Sequence, residues 1–142
     1  MVLGIGEGKV ELILDKGAYV AGDPVKGKVT ITLNQPLAAR ELRAEFFGEI
    51  ERHSGKHRHI DRIFEVHKVL GGEKTYSSGE AFDFELVTPV NAVAPKPQGV
   101  VMGVLSMFTP TPRWYVKVSL DMPMKFDINK RIQVQLMPAR SP

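Results

Sequence analysis

At 142 residues the chain holds enough material for one domain with a real core and too little for two comfortable ones. The 43% hydrophobic and 25% charged fractions are ordinary for a globular protein. With 19 basic and 16 acidic side chains the net charge is +3, too mild for a nucleic-acid stripe, and the lack of cysteine excludes disulfides, a thiol nucleophile and cysteine-ligated zinc.

Residues 1–6 show neither the basic start nor the apolar run of a signal peptide, and a cysteine-free chain fits a cytoplasmic location. Over residues 9–15, Val10, Leu12 and Leu14 alternate with Glu11, Ile13 and Asp15. Ile13 breaks the polar series, so the second face of this strand is expected to be partly covered. Residues 17–24 are turn chemistry, with Gly22 and Asp23-Pro24 setting a bend. Val25, Val29, Ile31 and Leu33 then alternate with Lys26, Lys28, Thr30 and Thr32, the period of two of a strand with one face in a core. After the turn at Asn34-Gln35-Pro36, Leu42, Ala44, Phe46 and Ile50 repeat the pattern against Arg43, Glu45, Glu49 and Glu51.

The pattern dissolves over residues 51–59 and resumes with Ile60, Arg62, Phe64 and Val66 on one face, Asp61, Ile63, Glu65 and His67 on the other. Residues 40–70 therefore read as a long hairpin with a basic, histidine-rich tip, ended by Gly71-Gly72. Phe82, Phe84 and Leu86 mark another strand, closed by Pro89. Residues 89–112 carry five prolines and no clear period, and stretches of that kind are usually functional or mobile. Trp114, Val116, Val118 and Leu120 alternate next, and Ile132, Val134 and Leu136 face away from Arg131, Gln133 and Gln135 in a last strand. No helical period is sustained anywhere. The expectation is one all-β domain over residues 1–142, an immunoglobulin-like sandwich of about seven or more antiparallel strands.

Three blocks of residues carry a resemblance. Tyr19-x-x-Gly22-Asp23-x-Val25-x-Gly27-x-Val29 is followed by Ala39-Arg40 opening a strand that reaches Gly48. Near the end come residues 114–123, from Trp114 to Pro123, and then Lys125-Phe126-Asp127-Ile128. In order and separation these resemble the N-terminal domain of the arrestin-like superfamily, which includes signalling arrestins, retromer-type trafficking adaptors and a bacterial sporulation-control group. The resemblance implies a β-sandwich that works by binding other proteins, with no catalysis and no cofactor. It also marks limits. The arginine-aspartate pair of the arrestin polar switch would fall at Gly17 and Ala18, and no proline-proline-x-tyrosine motif occurs. Receptor regulation is therefore not carried over.

Four candidate sites stand out. His53, His57 and His59 at the hairpin tip are possible ligands for zinc, copper or nickel, and His-x-His on a strand places two rings on one face. Arg52, Lys56 and Arg58 beside them repel a cation, so a metal or small-ligand module is the alternative reading and a solvated tip the plainer one. In signalling arrestins the corresponding hairpin loop enters the receptor, which implies a protein contact at Arg52, His53, Lys56, His57, Arg58 and His59. Imidazoles there would gain charge as the pH falls through about 6.5. The second candidate is the apolar run of residues 100–108, with Val101, Met102, Leu105, Met107 and Phe108. It reads as a lid, as an edge strand that pairs with another copy of the chain, or as a loop that docks on a partner or peripherally on a membrane. It is far too short to span one.

The third is a basic face made by Lys26 and Lys28 with Lys9 and Lys16, expected to be solvated. The fourth, Trp114, is expected to anchor the core. No Gly-x-Ser-x-Gly, P-loop or dinucleotide glycine fingerprint occurs, so no catalytic site is assigned. Nucleic acid is not expected as a partner, because no aromatics interleave with the basic residues of the tip.

Overall fold

The computed structural model describes residues 8–90, 111–123 and 127–138. Ten strands follow one another with no helix among the described residues: β1 (Gly8–Leu14), β2 (Ala18–Val20), β3 (Pro24–Leu33), β4 (Leu37–Ala39), β5 (Glu41–Ser54), β6 (His57–Gly71), β7 (Lys74–Tyr76), β8 (Ala81–Val87), β9 (Arg113–Asp121) and β10 (Ile128–Met137). They form a three-stranded sheet in the order β1-β3-β8, a five-stranded sheet in the order β2-β10-β9-β5-β6, and the short β4-β7 pair. The pairings are antiparallel except β2 with β10, which run parallel and depart from the expected all-antiparallel arrangement.

The alternation in the sequence is what closes the sandwich. Val10 and Leu12 of β1, Val25, Val29, Ile31 and Leu33 of β3, and Phe84 and Leu86 of β8 are buried from one sheet. Leu42, Ala44 and Phe46 of β5, Trp114, Val116, Val118 and Leu120 of β9, and Val134 of β10 meet them from the other. Burying a side chain of this size stabilises the fold by roughly 1.5–3 kcal/mol each, so this shared layer dominates folding. Trp114 sits in it as expected, 4% exposed and stacked on Phe46 with ring centroids 5.5 Å apart. Ile13 does not follow its expectation. Its side chain is 67% exposed, on the outer face of the three-stranded sheet in the row of Lys28 and Asp83.

The chain changes sheets between β1 and β2, and a tyrosine holds the corner. The Tyr19 hydroxyl donates to Asp15 Oδ1 at 2.6 Å and accepts from the Lys16 amide at 3.3 Å. That bond holds the Asp15 carboxyl below its ordinary range, while burial and the adjacent carboxylate push the Tyr19 hydroxyl up. The buried Thr88 ties the next turn to the end of β8. Its hydroxyl accepts from the Gly22 amide at 2.7 Å and donates to the Asp23 carbonyl at 3.0 Å.

The long hairpin contains an irregularity that simple alternation misses. Phe46 opposes Val66 and Gly48 opposes Ile63, so β6 carries one residue more than β5 over this span. Phe64 takes the left-handed conformation there, with φ 49°. This is a β-bulge, and it moves the inward face of β6 from Asp61 and Ile63 to Val66 and Lys68. The assignment of Ile60, Arg62, Phe64 and Val66 to one face is thereby corrected: Ile60 and Arg62 face outward, whereas Val66 packs against the core.

Candidate functional site

The β5-β6 hairpin outruns the sheet that carries it. β9 pairs with β5 only from Glu41 to Glu49, whereas the β5-β6 ladder continues to Ser54 and His57. Residues 50–61 therefore leave the sandwich as a bare two-stranded ribbon, turned at Gly55-Lys56 with Gly55 at φ 63°. Five further residues per strand at about 3.4 Å each carry the tip roughly 17 Å past the last β9 contact.

At the base of this ribbon the outer face of the five-stranded sheet is unusual. Phe47 and Tyr115 are buried on a face that alternation assigns to solvent. Arginines cover them: the Arg62 guanidinium lies 3.7 Å above the Phe47 ring and that of Arg131 lies 4.2 Å above Tyr115. Arg62 Nη1 also bonds Glu45 Oε2 at 2.7 Å and reaches Glu65 at 3.4 Å, which satisfies the buried Glu45 carboxylate. Arg131 Nη1 lies 3.3 Å from Glu49. Glu45, expected in water, is instead buried and paired with Arg62 at the surface of the sheet. The base of the hairpin is thus clamped from both sides, by Trp114 on the core face and by arginine over aromatic on the other.

Along the ribbon the charges sort by face. Ile50 opposes Asp61 and Arg52 opposes His59 on one side, while Glu51 opposes Ile60 and His53 opposes Arg58 on the other. Each face has one carboxylate at its centre. Asp61 accepts from Arg52 Nε at 3.1 Å and lies 2.7 Å from His59 Nε2. Glu51 pairs with Arg58 and lies 3.3 Å from His53 Nε2. The tip residues singled out from sequence are therefore brought together, but in two sets. Lys56 and His57 are exposed at the turn.

This arrangement does not assemble the metal site considered as the alternative. His53 lies on the face opposite His57 and His59, and an arginine occupies each adjacent carboxylate. Among the described residues no group of three histidine, aspartate or glutamate side chains could hold an ion. Sequence reasoning missed Glu51 and Asp61 as organisers of the tip. Their signal was available, since each stands two residues from a histidine on the same strand face.

The other candidates fall out differently. Val101, Met102, Leu105, Met107 and Phe108 lie outside the described residues. The lysine face is exposed and mixed in sign, with Lys9 3.3 Å from Glu11 and Lys26 4.0 Å from Glu85. Beside it an open groove of about 660 Å³ is lined by Leu14, Phe84, Lys28, Lys68 and Asp83 among others, opposite charges that leave no one-signed pocket. Ser77 and Ser78 belong to the β7-β8 turn, where the Ser78 hydroxyl accepts from the Leu33 amide at 3.1 Å. No described helix is long and apolar enough to cross a membrane.

Comparison with known proteins agrees with this architecture. No curated protein matches the chain. Among solved structures, the sporulation control protein Spo0M from Bacillus subtilis superposes with a TM-score of 0.68 at 22% identity, over 94% of this chain and 50% of that one. The chain thus spans half the length of that relative, and at this identity the likeness speaks for the fold. The family described as arrestin (or S-antigen), N-terminal domain, matches residues 9–91, more than half of the sequence. The chain belongs to the arrestin N-terminal domain family.

Proposed function

We propose that residues 1–142 act as a single non-catalytic adaptor or scaffold domain that grips another protein through the tip of the β5-β6 hairpin. The observation that carries this reading is the overhang. A two-stranded ribbon that leaves its sheet and is clamped at its base is a rigid mount for a contact loop, and it serves no packing purpose at its end. Three basic side chains stand against two carboxylates over residues 51–61. A partner surface rich in carboxylates suits such a tip. Family membership supports the same reading, since arrestin domains as a class work by binding other proteins. The apolar residues Val101, Met102, Leu105, Met107 and Phe108 form a second contact in this proposal, and the setting proposed is the cytoplasm.

The test compares crosslinked partners of the wild-type domain with those of a variant carrying Arg52→Glu, Lys56→Glu and Arg58→Glu. All three side chains are exposed, so the variant is expected to fold with an unchanged circular dichroism spectrum. Loss of specific partners from the variant supports the tip. Recovery of the same partners by both proteins refutes the tip assignment.

A further inference from the structure

We propose that two copies of the chain associate through the free edge of β6, antiparallel, so that their five-stranded sheets run together across a twofold axis. β6 ends its sheet, and among the described residues β5 is its hydrogen-bonding neighbour. The edge is 15 residues long and contains no proline, and a row of unpaired backbone groups of that length is a template for another strand. The strand also holds two large apolar side chains turned to water, Ile60 at 47% and Val69 at 48% exposure.

The side chains of this edge complement themselves. Ile60 opposes Glu51 and Val69 opposes Arg43, which places both on the outer face. Asp61 opposes Ile50 and Lys68 opposes Ala44, which places both on the inner face. Residues of opposite parity share a face here because the bulge at Phe64 lies between them. When β6 is laid antiparallel on its own copy with Ile60 opposite Val69 of the second copy, Asp61 falls opposite Lys68 and Ile63 opposite Val66. Twofold symmetry makes each of these pairs twice, as an isologous interface requires. Apolar meets apolar and acid meets base. The remaining outer pair is Arg62 with His67.

The bulge would ordinarily blunt an edge by twisting it away. In this register it lies on the twofold axis, Phe64 opposite Glu65, so both strands are interrupted at the same point and stay in step on either side. Lys68 is exposed on the inner face of β6, at the mouth of the groove beside β8. Asp61 pairs with Arg52 and lies 2.7 Å from His59 on its own hairpin, and it receives Lys68 of the second copy as a further cation. An interface of one strand pair is small, which makes the dimer a weak one.

Sedimentation equilibrium of the full chain, from about 10 µM to about 1 mM, covers the affinities such interfaces reach. The wild type is expected to self-associate within that range. Lys68→Glu turns two attractive cross-strand pairs into two repulsive ones and should weaken association on the order of tenfold. Adding Asp61→Lys to Lys68→Glu reverses both partners and should return association to within about threefold of wild type. Val69→Lys, which touches neither charge, should weaken association without rescue by Asp61→Lys. A wild type that stays monomeric throughout overturns the proposal, and so does a dimer indifferent to Lys68→Glu and Val69→Lys. Partner capture by the hairpin tip is read separately, so loss of one result leaves the other standing.

Discussion

Gly48 is the point where β5 stops being core and becomes ribbon, and substituting it tests how the hairpin is mounted. A Cβ at Gly48 would lie 2.8 Å from Trp114 Cζ3, 2.9 Å from Trp114 Cε3 and 3.0 Å from Ile63 Cγ1. The indole has little room to retreat, because it stacks on Phe46 at 12° and packs against Phe64 on its other side. Overpacking of this kind costs about 1–3 kcal/mol. The lost backbone freedom of glycine in the unfolded chain returns roughly 0.5–1 kcal/mol. A net destabilisation centred on about 1.3 kcal/mol, and no more than about 2.5 kcal/mol, follows for Gly48→Ala, the central figure being equivalent to a Tm lower by roughly 3–6 °C in a chain of this size. Urea unfolding followed by circular dichroism measures it. Gly17→Ala is the control: nothing lies within 4 Å of its added Cβ, so it should stay within about 0.5 kcal/mol of wild type. In a Trp114→Phe background, which removes the crowded indole edge, Gly48→Ala should cost at least about 1 kcal/mol less. An equal cost in both backgrounds, or none in either, would refute the claim that the indole fixes the hairpin root.

Arg62→Ala should destabilise by about 1–3 kcal/mol, because it uncovers Phe47 and leaves the buried Glu45 carboxylate without its cation. Adding Glu45→Gln should recover part of that loss, and a double variant no more stable than the single one would count against the ion-pair account. Tyr19→Phe should cost about 1–2 kcal/mol near neutral pH by removing the hydroxyl that donates to Asp15. The Asp15 pKa is lowered in the folded chain from 3.8, so the stability it brings is present above that value and lost as the pH falls through the folded pKa. The gap between wild type and Tyr19→Phe should therefore narrow in unfolding curves taken below about pH 3.8 and be full above it. Zinc should leave the Tm unchanged at concentrations where a folded-state site would raise it, since the three tip histidines face two ways.

The sandwich was legible in the sequence wherever a strand kept strict alternation. Val25 to Leu33 and Trp114 to Leu120 bury the residues their period of two assigns, because a half-buried strand has no other way to satisfy both solvent and core. Legibility failed where geometry is set by pairing and not by pattern. The bulge at Phe64 requires a residue of β6 with no counterpart on β5, and a bulky aromatic at φ 49° carries no composition signal. Phe47 and Glu45 look like an intrusion and a surface charge until Arg62, from the neighbouring strand, is laid over them. The tip residues were found by composition, but their division into two carboxylate-centred sets depends on the register of His53 with Arg58 and Arg52 with His59. The short strands β2, β4 and β7, three residues each, are too brief for any periodicity to show.

The two proposed surfaces share one hairpin, and their geometry decides how they would work together. In the register with Ile60 opposite Val69, His57 of one copy lies beside residue 72 of the other, so the two tips point in opposite directions from the shared edge. At about 3.3 Å per residue the tips stand roughly 50 Å apart. A small partner could not touch both at once, and each tip would engage its own binding surface. Dimerisation would then add nothing to the affinity for a single soluble partner and would strengthen retention on an array of partners spaced to match. The tip has to stay accessible for this to hold. The turn at Gly55-Lys56 and the β5 side of the tip, Arg52 and His53, remain so, because they lie beyond or across the ribbon from His57, the last residue set beside the other copy, on the ribbon that β9 has already left.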